Sequence, residues 1–393
     1  MSRTGYTRLV ALCAAATLAL GACSTATGGG SSGYADPFYS PEPSAPGGTA
    51  GAAGADSLPQ SVRARIDIRR GRGVVRIGHL NGTYVPRALI EAFEQASGYT
   101  VELSEVPRAV GSARAVDVLV GLDDSELAAG AVVVVPEVAD AEHIPGTEVE
   151  SVPGAYAYGR DDVCVLADRS WFSANNLKVP TSLAEISAGD YASQLVIPAP
   201  KNTVDGRAFA QLISLTAANN PRGWVTTATS AGATVDTGLP LWRLWTAHEQ
   251  VAAHRNEKSN GSAAADTANQ SAATDNAQRK PLIVAPMSLL ASATDNTGTQ
   301  SMGVAIPGTC VQRTLRVAAL AGHSDNGGNF AFIDFLTSPA GQEIIARTGW
   351  AYPLGEFSEQ TPASWFLTPR EDALELPQQV TTPEGSETAI SHW

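Results

Sequence analysis

The chain has 393 residues, with 26 Lys and Arg against 39 Asp and Glu, a formal charge of −13 and only 6% aromatic residues. That length and a hydrophobic share of 44% allow one large or two medium domains with a substantial core, excluding a disulfide-rich mini-protein, a wholly disordered chain or a collagen-like repeat. The acidic balance argues against a general nucleic-acid binder, which needs a basic footprint to release counterions.

At the start of the chain, Arg3 and Arg8 precede an apolar run from Leu9 to Leu20 that has the length of a signal-peptide core. The run ends in Leu20-Gly21-Ala22-Cys23, which resembles a bacterial lipobox. Residues 1–22 are therefore expected to be a lipoprotein signal peptide, with Cys23 diacylated and the chain anchored to the outer face of the cell membrane. An ordinary secretory signal with an incidental Cys is the alternative. No later stretch is apolar over the roughly 18 residues a membrane span requires. Losing residues 1–22 removes two arginines and no acid, which moves the charge from −13 to −15. Cys13 leaves with that segment and Cys23 carries lipid, so Cys164 and Cys310 remain. In an oxidising exterior such a pair most simply forms a disulfide. Metal binding is the other reading, and neither Cys has a second Cys or a His nearby. Residues 23–56 are mostly Gly, Ser, Ala, Thr and Pro and read as a disordered tether reaching ~30 Å.

The body that follows alternates strands and helices. Val74–Gly78 reads as a strand. Pro86 opens a helix with Leu89, Ile90 and Phe93 on one face and Gly98 at its stop. Tyr99–Leu103 and Val116–Leu122 read as further strands, the second fully buried, and this order implies a parallel α/β sheet. The pattern repeats with a strand at Val163–Leu166, a capped helix from Thr181, a strand at Leu195–Ile197, a helix over Arg207–Ala218 and a strand at Leu282–Val284. Residues 255–280 hold no large apolar side chain and read as a disordered surface insertion. Phe330–Leu336 is an apolar helix, and a second helix starts near Pro339 with Ile344 and Ile345 inward. Residues 358–393 are rich in Pro, Thr and Glu and read as an extended tail.

Catalytic patterns are incomplete, so no enzymatic activity, cofactor or metal is expected. Gly322-His323-Ser324-Asp325-Asn326 lacks the second Gly of a nucleophile elbow, and after His248-Glu249 the next His, His254, falls two residues beyond zinc-protease spacing. What remains is a set of polar residues at strand ends, where open α/β sheets bind ligands. Thr83 and Tyr84 follow the first strand, and Asp123 and Asp124 follow the third. Lys201-Asn202-Thr203-Val204-Asp205-Gly206 leads into a helix whose N–H groups suit a polar or anionic ligand group. Simple helix capping by Thr203 or Asp205 is the competing explanation.

The ending FAFIDFLTSPAGQEIIARTGWAYPL (330–354), with the lipobox, tether and two-part body, resembles extracytoplasmic solute-binding proteins of ABC importers. VDVLVGLDDSEL, DDVCVLADRSWF, LKVPTSLAEI and YASQLVIPAPKNTVDGRAF are similar to segments of thiamine-binding members, especially actinobacterial ones. The resemblance implies an α/β, two-lobe periplasmic-binding-protein-like fold with crossing hinge segments. Lobe 1 would span 74–158 plus 312–357 and lobe 2 would span 159–311, with Cys164 and Cys310 paired on the crossing segments. It further implies a monomer that takes a small-molecule solute, thiamine or a related compound, and delivers it to an ABC permease and its ATPase, with no nucleic acid involved. Tyr84, Asp123, Trp350 and Tyr352 match positions expected around such a ligand, with Thr83, Asp124, Thr203, Asp205 and Gly206 lining the crevice. Two ligand walls depart from the pattern. The aromatic stretch after Val235-Asp236 has become Thr237-Gly238-Leu239-Pro240, with Trp242 and Trp245 displaced, and the segment after Val284 has become Ala285-Pro286-Met287-Ser288-Leu289. The site is therefore either rebuilt with Trp242 and Ser288 or takes a different solute, another organic cation or a phosphorylated compound. A non-transport lipoprotein that kept the fold is the reading from another class.

Overall fold

A computed structural model describes residues 68–80, 83–106, 116–128, 144, 152–217, 219–236, 280–294, 300–320 and 327–393. The expectations for the signal segment, Cys23, the tether, Trp242, Trp245 and nearly all of the 255–280 insertion lie outside the described residues.

Val75 and Ile77 alternate inward along β1 (Val74–Leu80), as a half-buried strand requires. Helix α1 (Arg87–Ser97) begins after Pro86 and stops at Gly98, whose φ of 80° is the left-handed conformation that glycine adopts without strain. Leu89 and Phe93 form its buried face. Next come β2 (Thr100–Val106), β3 (Val118–Leu122), the short α2 (Asp124–Ala128) and β4 (Ala155–Arg160). The chain then crosses to β5 (Val163–Asp168), α3 (Arg169–Ala174), α4 (Leu183–Ser187), α5 (Gly189–Ala192) and β6 (Leu195–Pro198). Helices α6 (Val204–Thr216) and α7 (Pro221–Ser230) lead to β7 (Thr234–Asp236), β8 (Leu282–Pro286), α8 (Leu289–Ser292) and β9 (Gly303–Ala305). A second crossing brings it back to β10 (Thr314–Ala319), α9 (Gly327–Thr337), α10 (Pro339–Thr348) and β11 (Tyr352–Pro353). The chain ends in α11 (Pro362–Phe366), α12 (Gln378–Thr381) and α13 (Pro383–Ile390).

These strands form two sheets, a six-stranded one ordered β11-β4-β10-β3-β1-β2 and a five-stranded one ordered β7-β6-β8-β5-β9. Each centres one lobe. The parallel expectation holds where helices intervene, for β1 with β2 and β3, and for β6 with β7 and β8. Strands entering from the other lobe run antiparallel instead: β10 against β3 and β4, and β5 against β8 and β9. The first core gathers Phe93, Val118, Phe332, Phe335 and Ile345 around the six-stranded sheet. A second gathers Phe172, Ile197, Phe209 and Leu282 on one face of the other sheet.

The extended-tail expectation for residues 358–393 is corrected by the structure. Thr361 caps α11 by accepting from Ser364 N, Thr382 caps α13 by accepting from Gly385 N, and a proline opens each helix. Thr-Pro is a helix-starting pair, because the hydroxyl satisfies an orphan N–H and proline has none to lose. Leu367, Ala389 and Ile390 are buried.

Candidate functional site

The two crossing segments pair with each other. Val163 and Val311 exchange backbone hydrogen bonds of 3.0 and 2.8 Å, and Asp161 N donates to Arg313 O at 3.0 Å. A disulfide joins Cys164 to Cys310 at this pairing, tying residues 146 apart in sequence. Arg160 forks onto Asp162 with contacts of 2.7 and 2.8 Å.

Arg313 is the hub of the crossing. It is 5% exposed, and its Nη1 donates to Asp205 Oδ1 at 2.7 Å while Nε donates to Asp161 O at 3.2 Å. Ser288, just beyond β8, donates its backbone N–H to Asp161 Oδ1 at 2.9 Å and its hydroxyl to Oδ2 at 2.7 Å. Asp123, at the end of β3, accepts from Glu126 N at 2.9 Å, and its carboxylate lies within electrostatic reach of both Asp205 and Arg313. Carboxylates from both lobes and from the first crossing segment thus converge on a guanidinium of the second.

Burial pushes the Asp161 carboxyl up to about 7, against the opposing pull of Arg313 and the two Ser288 hydrogen bonds. Burial likewise raises Asp205, again opposed by Arg313. For Arg313 itself, burial favours the neutral form, but Asp205, Asp161 and Asp123 outweigh it and the guanidinium is held more firmly charged than usual. Tyr158, fully buried beside Arg313, is shifted upward by burial against the opposing pull of Arg313 and the Gly121 backbone.

A second polar contact spans the lobes. Arg207 on α6 donates through Nη2 to Glu126 Oε1 on α2, with both side chains buried. One turn further along α6, Gln211 Nε2 donates to Ser125 Oγ at 3.2 Å. Beside them Val204, in the first turn of α6, packs into an apolar cluster with Leu80, Leu119 and Leu122 of the six-stranded sheet.

The sequence-predicted residues are placed as follows. Asp123, Asp205 and Ser288 come together around Arg313 and Asp161. Thr203 caps α6 by accepting from Gly206 N at 3.1 Å, and it donates to Ala199 O. Gly206 is hemmed in, since a Cβ there would stand 2.3 Å from Pro198 O. Thr83 donates to Leu80 O at 2.6 Å and rests on Gly121, whose φ of 75° and missing side chain allow that approach. Asp124 sits apart from the cluster, half exposed, and holds the buried Arg316 at 2.8 Å. Trp350 stacks on Tyr158 with ring centroids 5.0 Å apart and donates its indole N–H to Tyr84 O. Tyr352 meets Phe357 edge-on at 5.4 Å.

Sequence reasoning passed over Asp161, Arg313, Arg207 and Gln211. A signal existed for the last two: they are the long polar side chains of an otherwise apolar helix, spaced four apart and so on one face. Asp161 and Arg313 carried no comparable signal, because 152 positions separate partners that only the crossing brings together. Among the described residues no group of three or more His, Cys, Asp or Glu is arranged to hold a metal ion.

No protein-family model matches the chain, and no curated protein matches it. Solved structures do. A periplasmic thiamin binding protein shares 17% identity with a TM-score of 0.58, over 83% of this chain and 98% of its own. The periplasmic binding protein AfuA from Actinobacillus pleuropneumoniae, with exogenous fructose-6-phosphate bound, shares 12% identity with a TM-score of 0.58, over 82% of this chain and 97% of its own. The apo ferric ion-binding protein A of Pasteurella haemolytica shares 11% identity with a TM-score of 0.56, over 81% and 96%. At these identities the likeness concerns architecture, and the chain has the two-lobe fold of periplasmic binding proteins.

Proposed function

We propose that this protein is an extracytoplasmic solute-binding protein of an ABC importer, anchored through a lipid on Cys23, that captures thiamine or a related small organic cation between its lobes and presents it to the permease. The observation that carries the reading is the cluster at the strand ends. Asp123, Glu126, Asp161, Asp162 and Asp205 are buried there against three guanidiniums, those of Arg160, Arg207 and Arg313. Carboxylates of both lobes converge there, and a crevice with that charge favours a positively charged guest by electrostatic complementarity. The fold supports the mechanism, because two lobes joined by crossing segments close on a ligand by hinge motion without covalent chemistry. No helix among the described residues is long and apolar enough to cross a membrane, which suits attachment by lipid. A phosphorylated solute is the second reading, favoured by the first turn of α6, where helix N–H groups suit an anion.

Calorimetry and thermal shift with thiamine, its phosphates and a panel of organic cations test the proposal. At 100 times Kd the bound solute should add about 2.7 kcal/mol of stability. Asp123→Asn keeps the cap on α2 while removing the charge, so it should weaken a cationic solute by about tenfold. No response to any solute would overturn the transport reading in favour of a lipoprotein that kept the fold alone.

A further inference from the structure

Residues 358–393 touch both lobes and the second crossing segment. Helix α11 packs against α10 of the first lobe and α8 of the second. Asp372 accepts from Gly308 N at 2.9 Å. Leu374 then lies alongside the second crossing segment, donating to Cys310 O at 2.8 Å and accepting from Gln312 N at 2.9 Å. That adds a parallel bridge from Leu374 to Val311 beside the Val163–Val311 pairing, next to the disulfide-bonded Cys310. Further on, α12 and α13 both touch α2 of the first lobe, and α13 packs along α6 of the second. Trp393 closes the run with its ring 6.1 Å from Phe209 and 6.3 Å from Trp224, while Arg222 donates to Ser391 O at 3.3 Å.

One side chain gathers these contacts. Gln211 of α6, 1% exposed, donates through Nε2 to Ser125 Oγ in the first lobe and to Val380 O at 2.8 Å in α12. It therefore sits where the first lobe, the second lobe and the 358–393 segment meet. Beside it the buried Arg207–Glu126 pair joins the same two helices. Opening the lobes must expose this pair and take Ser125 from Gln211, while Val380 holds Gln211 in place for that contact. A segment that buttresses α2 and α6 together disfavours that separation.

We propose that residues 358–393 are an intramolecular strap that holds α2 against α6 through Gln211, so that the chain itself biases its lobes toward the closed arrangement before any solute binds. A ligand shifts such an equilibrium only by its differential affinity for the two states, so a strap that pre-pays closure sets how much of that affinity appears as binding. The inference concerns the solute-free protein and stands or falls independently of which solute the crevice takes.

Single-molecule energy transfer between dyes on non-natural side chains at Gln95 of α1 and Ala184 of α4, both exposed, reads the lobe separation and leaves every cysteine untouched. The solute-free full chain should occupy mainly the short-distance state. Removing residues 377–393, or making Gln211→Leu in the full chain, should lower the ratio of closed to open molecules by about tenfold. If the truncated chain fails to fold, Gln211→Leu decides alone. An unchanged distance distribution in Gln211→Leu, or a parent chain already as open as the variants, would overturn the strap.

Discussion

In the first lobe Phe93 meets Phe332 edge-on at 5.1 Å and Phe335 at 5.6 Å, among side chains that carry no charge. At the crossing between the lobes the residues are as deeply buried, yet Arg313 is held by Asp161 and Asp205, and Arg207 by Glu126. The difference follows from what each region must do. An apolar core is stabilised by area removed from water and by close packing, which is non-directional and tolerates no separation. Paired charges have discrete geometry and can be rehydrated when parted, as the proposed opening and closing of the lobes would require. The interior keeps the lobes folded, and the seam decides how they meet.

The largest expected effects set these two regions against each other. Phe93→Ala and Arg313→Met should each cost about 3–5 kcal/mol in denaturant unfolding, the first by leaving a cavity and the second by stranding buried carboxylates. They should differ in pH response. The Phe93→Ala loss should stay constant from pH 4 to 8, whereas the Arg313→Met loss should shrink toward acid as Asp161 and Asp205 become neutral. Parallel pH dependence in the two variants would erase the distinction between core and seam.

Removing the Cys164–Cys310 bridge by paired Ala substitutions should cost about 2–4 kcal/mol, since the bond closes a long loop of the unfolded chain. A free-thiol assay on unreduced protein that found both cysteines reactive would contradict the bridge directly.

A further effect concerns Asp161 alone. Its folded-state carboxyl, raised to about 7, binds a proton more tightly than in the unfolded chain. The stability it lends is therefore full below about pH 4 and is lost as pH rises toward 7. Asp161→Asn removes that loss, so the variant's Tm relative to the parent should improve steadily from pH 4 to 7. A difference independent of pH would mean that Asp161 ionises as an exposed aspartate does.

Much of the architecture was legible because it depends on short-range pattern. The Pro86 start and Gly98 stop of α1, the Ser338-Pro339 start of α10 and the fully apolar β3 each announce themselves within a few residues. The 358–393 segment was misread for a related reason: its Pro and Thr content suggested an extended chain, although Thr361-Pro362 and Thr382-Pro383 are themselves helix starts. For the candidate site, Asp123, Asp205 and Ser288 were reachable because strand ends and helix starts are local features. Their meeting point was not.

The sequence by itself determined the elements, the two-part α/β body, and the pairing expected of Cys164 with Cys310, since periodicity, capping and redox environment act on nearby residues or on composition. Only the tertiary structure decided that Arg313 joins Asp161 to Asp205, that Arg207 and Gln211 reach across to α2, and that residues 358–393 bind both lobes. The Arg313, Arg207 and Gln211 contacts join residues 81 to 169 positions apart, and no local propensity encodes them. They arise because crossing segments bring polar side chains into a space too dry to leave a charge unpaired.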